Sequence, residues 1–205
     1  MSKNICEELI ITTAANLSNE IGFHNLTLKV VAKRLNIKSP SLYNHISSLE
    51  ELKYKLMLFG WKEIETQMLD GSIDVSGYDA IRKMCEIFFD FALKNKGVFE
   101  AMLWYNMYAQ DNTLSNLFVR IFDVLKPLGY NDDIINHFIR TFRAFLEGYV
   151  LLVNNNAFGN PLSIKESFDF SLNLLIEGLK QMKDRVEGGS LWLRFKIWKK
   201  HSRNQ

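Results

Sequence analysis

Lys38, Ser41 and Asn44 carry the side chains that most plainly suit base recognition, since lysine can donate to guanine, asparagine can pair with adenine, and serine can bond either. A helix lying in a major groove reads bases with its N-terminal residues, and these three fall at the start of a short helical pattern. Around them Ser39 is a further candidate contact to DNA, and Thr27, Tyr43 and His45 offer hydroxyl and imidazole groups. Such groups suit phosphate oxygens, contacts that fix register without reading sequence. Lys53, with Lys29 and Lys33, adds screened attraction for a polyanion, although a surface lysine is usually just solvated. Tyr43 and His45 also have a plainer reading, as packing residues of a small domain.

The elements that must position this set lie on either side of a four-residue connection, Asn36 to Ser39, the length of a helix-turn-helix elbow. Thr27 can cap the first helix, and Val30, Val31, Arg34 and Leu35 follow at three-to-four spacing, with Val31 and Leu35 on one buried stripe. Asn36 stands where a left-handed residue would end that helix. Ser39 followed by Pro40 is a restart signal, serine accepting an orphan amide and proline losing nothing at the first turn. Leu42 and Ile46 face inward one turn apart, which leaves Ser41, Asn44 and His45 outside and Tyr43 at the margin.

The 205 residues can bury a large core, and 47% hydrophobic content with three prolines and eleven glycines favours a compact all-α protein. A net charge of +2 does not announce a nucleic-acid binder. Five of the 25 basic residues lie in 190–205, where there is no acid, so the remainder carries 20 basic against 23 acidic groups. Any affinity for DNA must therefore come from a local basic surface. Cys6 and Cys85 have no partner motif, no apolar run reaches 18 residues, and Met1-Ser2-Lys3-Asn4 lacks the apolar core of a signal peptide. A reduced, cytoplasmic chain with no membrane partner is expected.

The first helix is expected over 4–21, with Ile5, Leu9, Ala14, Leu17 and Ile21 as its apolar set, closed by Gly22 and Phe23. After the elbow, Ser47 or Ser48 caps a fourth helix through Leu52, Leu56, Phe59 and Ile64 to about Leu69, long enough to pass from one domain into another. The pattern divides the chain into a helix-turn-helix domain over 1–50, a helical domain over 51–184 and a tail over 185–205.

The run Leu26-Thr27-Leu28-x-x-Val31-Ala32-x-x-Leu35-x-Ile37-x-x-x-Ser41-Leu42-Tyr43-x-His45-Ile46 resembles the DNA-binding signature of the tetracycline-repressor (TetR) family. Two positions depart from it: the family usually has glycine at Asn36 and commonly lysine near Leu49. Phe142 to Tyr149, Glu166-Ser167-Phe168 and Leu175 to Leu179 are similar to one class of TetR C-terminal domain. The resemblance extends to about Asp184. It implies a homodimer whose two elbows enter successive major grooves of a double-stranded operator, an inducer bound in the C-terminal domain, and an all-α fold of about nine helices.

Beyond Gly77 everything reads as helix: 78–95, 98–107, a segment starting at Asn112, one from Asp132 to about Asn154, and one from Ser163. Aromatic and methionine density between Phe88 and Tyr149 suits a cleft for a small lipophilic effector. Phe88, Met102, Trp104, Tyr105, Met107 and Phe142 are the candidate lining, with Tyr108, Asn106 or His137 as the polar handle. Core packing is the competing reading for each. The last two long helices carry Phe138, Phe142, Phe145, Tyr149, Phe168, Phe170 and Leu174 around much of their circumference, so one face must bury inward and another against a partner.

Glycine-rich phosphate loops, His-x-x-x-His pairs and Gly-x-Ser-x-Gly elbows are all absent from the sequence, and His24, His45, His137 and His201 form no spaced cluster. No enzyme, metal or cofactor is expected. The reading is a ligand-responsive transcriptional regulator acting as a repressor; its rival is a small-molecule carrier with an idle elbow. The Leu191 to Lys200 stretch mixes bulky apolar and basic residues after a Gly188-Gly189-Ser190 linker and is assigned no role.

Overall fold

A computed structural model describes residues 5–72, 74–106 and 121–187, with side chains of 105, 106 and 184–187 outside the description. Among these residues the chain is all helix and connecting turn. The elements are α1 (Glu7–Ile21), α2 (Leu28–Leu35), α3 (Ser39–Leu42), α4 (Leu49–Gly71), α5 (Gly77–Lys94), α6 (Lys96–Asn106), α7 (Asp132–Asn154) and α8 (Ile164–Glu187). A 3-10 turn spans Phe23–Asn25 and another Lys126–Leu128. The expected helix from Asn112, apart from helical residues 121–125, and residues 188–205 of the expected 185–205 tail lie outside the described residues, whereas 185–187 continue α8.

The first helix buries Ala14 and Leu17 of its expected apolar set, but in a broader stripe shifted from the one its periodicity suggests. Ile10, Ile11, Ala14, Ala15, Leu17 and Ser18 turn inward, whereas Ile21 is exposed and Leu9 half-buried. The reason is that α1 packs on three sides at once, against α2, α4 and α6. A helix with three neighbours needs a broad buried arc that includes small residues. Ser18 survives there, fully buried, because its hydroxyl donates to the Ala15 carbonyl at 2.8 Å.

Helix ends follow the chemistry of their caps. The Thr27 hydroxyl accepts the Val30 N–H at 3.2 Å. Asn36 is left-handed at φ 56°, ψ 44°, and the Ile37 N–H returns to the Ala32 carbonyl at 3.0 Å, so asparagine serves where glycine is usual. Ser48, not Ser47, caps α4, accepting the Glu51 N–H at 3.0 Å. Glu51 reaches back to the Ser47 hydroxyl at 2.5 Å and its N–H at 2.7 Å, and these two bonds hold its carboxyl below the usual range. Ser39 does not cap α3 as expected: the capping position belongs to Lys38, without a side-chain bond. Pro40 has no N–H to offer, and the Ser41 N–H is already taken by the Lys38 carbonyl at 2.9 Å, so the serine hydroxyl is left unspent.

Head (α1–α3) and body are joined by α4, which runs through both, and by a contact between α1 and α6. Asn19 of α1 accepts the Gly97 N–H at 3.0 Å and the Val98 N–H at 3.2 Å, and donates to the Asn95 side chain at 3.1 Å. These are the orphan amides of the first turn of α6, satisfied by a side chain 78 residues away. Gly97 is indispensable: a methyl group on it would lie 2.0 Å from the Ser18 carbonyl oxygen. Similarly, a methyl group on Gly60 of α4 would lie 2.7 Å from Met102 Sδ and 2.8 Å from Val98 Cγ1. Lys55 of α4 bridges Glu7 at 2.7 Å and Glu51 at 3.3 Å, adding a polar tie from α4 to the start of α1. Gly97→Ala should cost about 2–4 kcal/mol of unfolding free energy in urea, with Gly159→Ala, which meets nothing within 4 Å, near neutral; equal stability for the two variants would refute the close approach.

Candidate DNA interface and effector cavity

Leu42 and Ile46 are fully buried against the head core of Ile10, Phe23, Leu26, Val31 and Leu52, which fixes the rotation of α3. The opposite side of the elbow then faces outward. Lys38, Ser41, Tyr43 and Asn44 are exposed, Tyr43 to 55%, while Ser39 and His45 are half-buried. The assigned α-helix is one turn long, continued by the Ile46 N–H to Leu42 carbonyl bond at 3.1 Å, so Lys38 to His45 form a compact rounded surface.

The charge on this face is selective. Arg34, next to the elbow, is tied to Glu20 through two bonds, Nη1 to Oε1 at 3.0 Å and Nη2 to Oε2 at 2.5 Å. That pairing lowers the pKa of Glu20 and makes Arg34 an internal strut of the head. Lys29, Lys33 and Lys38 are exposed and make no ion pair among the described residues, so they can meet phosphates. Lys53 sits differently: its ammonium lies 5.0 Å from the Phe23 ring centroid, held by cation–π attraction. Thr27 spends its oxygen lone pair on the cap but keeps its hydroxyl proton for an acceptor outside.

Below the head, α4, α5 and α7 line a partly open apolar cavity of about 70 Å³. Trp61, Met68, Met84, Phe88, Phe138, Phe142 and Leu146 are among its walls, with Cys85, Ile81, Ile121 and Ile139. Burial pushes the Cys85 thiol well above its usual range, leaving an inert apolar group. Arg143 and Glu147, paired Nε to Oε1 at 2.7 Å, also line it, and the Trp61 Nε1 is buried without a hydrogen-bond partner among the described residues.

Of the expected lining, Phe88 and Phe142 face this cavity. Met102 does not: it is wholly buried beneath Gly60, where it welds α6 to α4. Trp104 is also elsewhere, 47% exposed, its ring edge-on to His24 at 5.6 Å and tilted against Phe23 at 6.5 Å. Its aromatic bulk serves the head–body joint. His137 is exposed on α7 and belongs, by helical spacing, to the face carrying Ala144, Gly148 and Leu151. The side chain of Tyr105 is not described, and Met107 and Tyr108 lie outside the described residues. Sequence reasoning missed Trp61, Arg143 and Glu147. A signal existed for the last two, since an Arg and a Glu four residues apart flank the apolar Phe142 and Leu146.

A helix-turn-helix head, with its reading surface exposed and its core tied into a helical body that holds an apolar cavity, defines a DNA-binding regulator with a separate effector domain. Residues 10–52 match the family described as bacterial regulatory proteins, tetR family, and residues 81–175 match the tetracyclin repressor-like C-terminal domain. The chain belongs to the TetR family of transcriptional regulators. It is 28% identical over 177 residues to the uncharacterized HTH-type transcriptional regulator YobS of Bacillus subtilis (strain 168), covering 85% of this chain and 93% of that one. Among solved structures it resembles a variant of TetR from Acinetobacter baumannii AYE in complex with minocycline, at TM-score 0.68 and 19% identity, over 87% of this chain and 98% of that one. It also resembles BioQ with its natural double-stranded DNA operator, at TM-score 0.61 and 18% identity, over 86% and 98%.

Thr27→Ala should lower the unfolding free energy by about 1 kcal/mol, with Thr27→Ser close to wild type, because serine preserves the cap. Thermal unfolding of the pair checks this, and equal losses in both variants would assign the cost to the methyl group.

Proposed function

We propose that the chain is a homodimeric repressor that holds operator DNA through paired α3 surfaces and releases it when a small lipophilic molecule enters the α4–α5–α7 cavity. The observation that carries the reading is the disposition of the elbow: its apolar side is completely buried, and Lys38, Ser41, Tyr43 and Asn44 stand outward together. Lys38, Ser41 and Asn44 meet base edges, and Thr27, Tyr43 and His45 hold phosphates, with Ser39 at the same surface and Lys53 adding charge nearby. The likeness to an operator-bound BioQ and to a minocycline-bound TetR supports assigning both kinds of ligand to one chain.

A second copy is the partner proposed for the outer face of α7 and α8. Phe170, Leu174, Gly178 and Met182 recur every four residues along α8, and the three large side chains are 65%, 59% and 50% exposed. Leu151 and Leu152 are exposed on α7, and methyl groups on Gly148 or Gly178 would meet nothing within 4 Å. Two such stripes crossing their copies form an isologous four-helix contact, in which one four-residue ridge fits the groove of another. On this reading His137 lies near the dimer contact. Within each subunit α4 carries the signal, since Leu49 begins at the reading head and Trp61 lines the cavity. An effector that prefers a different α4 position lowers operator affinity by its difference in binding free energy.

The test is a gel shift with the DNA upstream of the chain's own gene. Wild type should bind; Asn44→Ala should relax preference at one base pair by about 1–3 kcal/mol, and Tyr43→Phe should weaken all sequences alike. Phe170→Glu with Leu174→Glu should give a monomer on sizing and lose operator binding. A monomeric wild type, or operator binding indifferent to all four changes, would overturn the proposal.

A further inference from the structure

The outer face of α7 and α8 is a groove as well as a stripe. Between the two helices runs an open channel of about 460 Å³, walled by Phe145, Tyr149 and Leu152 of α7, Phe158 of the connecting loop, and Leu174 and Leu175 of α8. Its orientation is fixed from behind. Phe142 and Leu146 of α7 turn into the body, and the Phe145 and Tyr149 rings pack on the buried Phe168, each at 5.5 Å. Tyr149 also donates its hydroxyl to the Ile164 carbonyl at 3.2 Å, which sets the antiparallel register of the pair. In that register Gly148 and Phe170 stand at nearly the same height, Gly148 in the groove and Phe170 on the ridge beside it.

Two features call for an occupant from outside the chain. Phe170, Leu174 and Met182 on the ridge, with Leu152 and Phe158 at the groove, are each 38–65% exposed. At roughly 150–250 Å² for a large aromatic side chain and somewhat less for the others, they leave several hundred Å² of apolar surface, a large share of the ~800 Å² that each partner gives to a stable dimer. Gly148 is the second feature. It lies inside α7, where glycine is a poor helix former, yet a methyl group there would meet nothing within 4 Å. Nothing in the chain uses the space above it.

A small lipophilic molecule would fill the groove and leave the ridge bare, whereas a second copy covers both. A two-fold contact needs knob and socket in one patch, because each copy presents the same surface to the other. We infer that the α8 ridge of each copy lies in the α7–α8 groove of the other, with Phe170 seated over Gly148 of the partner subunit. This rests on the proposed dimer face and adds its axis, which passes beside Phe170 and Leu174 and not farther along α8 at Met182. Each α8 then touches both helices of the partner.

Sedimentation equilibrium of the full chain tests the fit. Phe170→Ala removes both knobs of a dimer at once and should weaken dimerisation about 100-fold. Gly148→Phe, for which the monomer has room, should block the socket at least as strongly. Joined in one chain, the two changes should recover most of the loss, since the knob now comes from the other side. A Gly148→Cys thiol in a Cys6→Ser background supplies a readout that needs no bulky variant to fold, and Cys85 stays silent because it is buried. Its reaction with a maleimide should slow as rising protein concentration drives dimerisation, and Phe170→Ala should restore the fast rate. If the wild type dimerises but Gly148→Phe is neutral, or the double variant is as weak as the two losses combined, the knob-and-socket fit is wrong and the dimer face stands. Protection of the introduced thiol at every protein concentration would give the groove to another occupant and overturn the fit as well. A monomeric wild type would remove the dimer face and the inference with it.

Discussion

The structure depends on a joint between two helices that are far apart in sequence. The Asn19 side chain closes the first turn of α6 by accepting the Gly97 and Val98 amides, and the Ser18 carbonyl lies where any side chain at 97 would have to go. Each such bond contributes only about 0.5–1.5 kcal/mol net, but leaving buried amides unpaired would cost more. The steric demand is sharper than the energetic one, because backbone cannot yield to a methyl group as a flexible side chain can. The reading head is consequently seated on the body instead of hanging from α4 alone.

That seat explains several placements that would otherwise look unrelated. Trp104 stands away from the apolar cavity and packs on His24 and Phe23, whose ring in turn receives the Lys53 ammonium. Met102 and Val98 fill the space over Gly60, so α4 and α6 approach closely at the level where α4 leaves the head. The Arg34–Glu20 and Lys55–Glu7 pairs brace α2 and α4 to α1 from outside. Being partly exposed, these pairs supply orientation more than stability. A body that sets the attitude of its head in this way can set the spacing of two heads in a dimer, which is the property an operator one turn apart would test.

The parts legible in sequence were those governed by local chemistry. The Thr27 cap, left-handed Asn36 and Pro40 restart each follow from what one residue does to its own backbone, and the burial of Leu42 and Ile46 follows from their spacing. The all-α class followed from periodicity in the same way, and the TetR resemblance from the elbow residues. What could not be read was which neighbour an apolar side chain would meet. Trp104 and Phe88 both look like cavity lining from composition, yet one belongs to the joint and the other to the cavity, and only the packing angle of α6 on α1 and α4 separates them. Trp61 was hidden inside an amphipathic pattern, since periodicity reports that a residue is buried and says nothing of whether its N–H finds an acceptor. The apolar character of α7 and α8 on two sides was visible; that Phe170, Leu174 and Met182 form the outward stripe while Phe138, Phe142 and Phe168 form the inward one required the fold.

Head and body behave as one unit because Asn19 and Gly97 join them. Amide hydrogen exchange of the Asn19→Ala variant against the wild type tests this most directly. Loss of the cap should speed exchange at Gly97 and Val98 and, together with them, at the amides of α2. Faster exchange confined to Gly97 and Val98, with α2 as protected as before, would contradict the account.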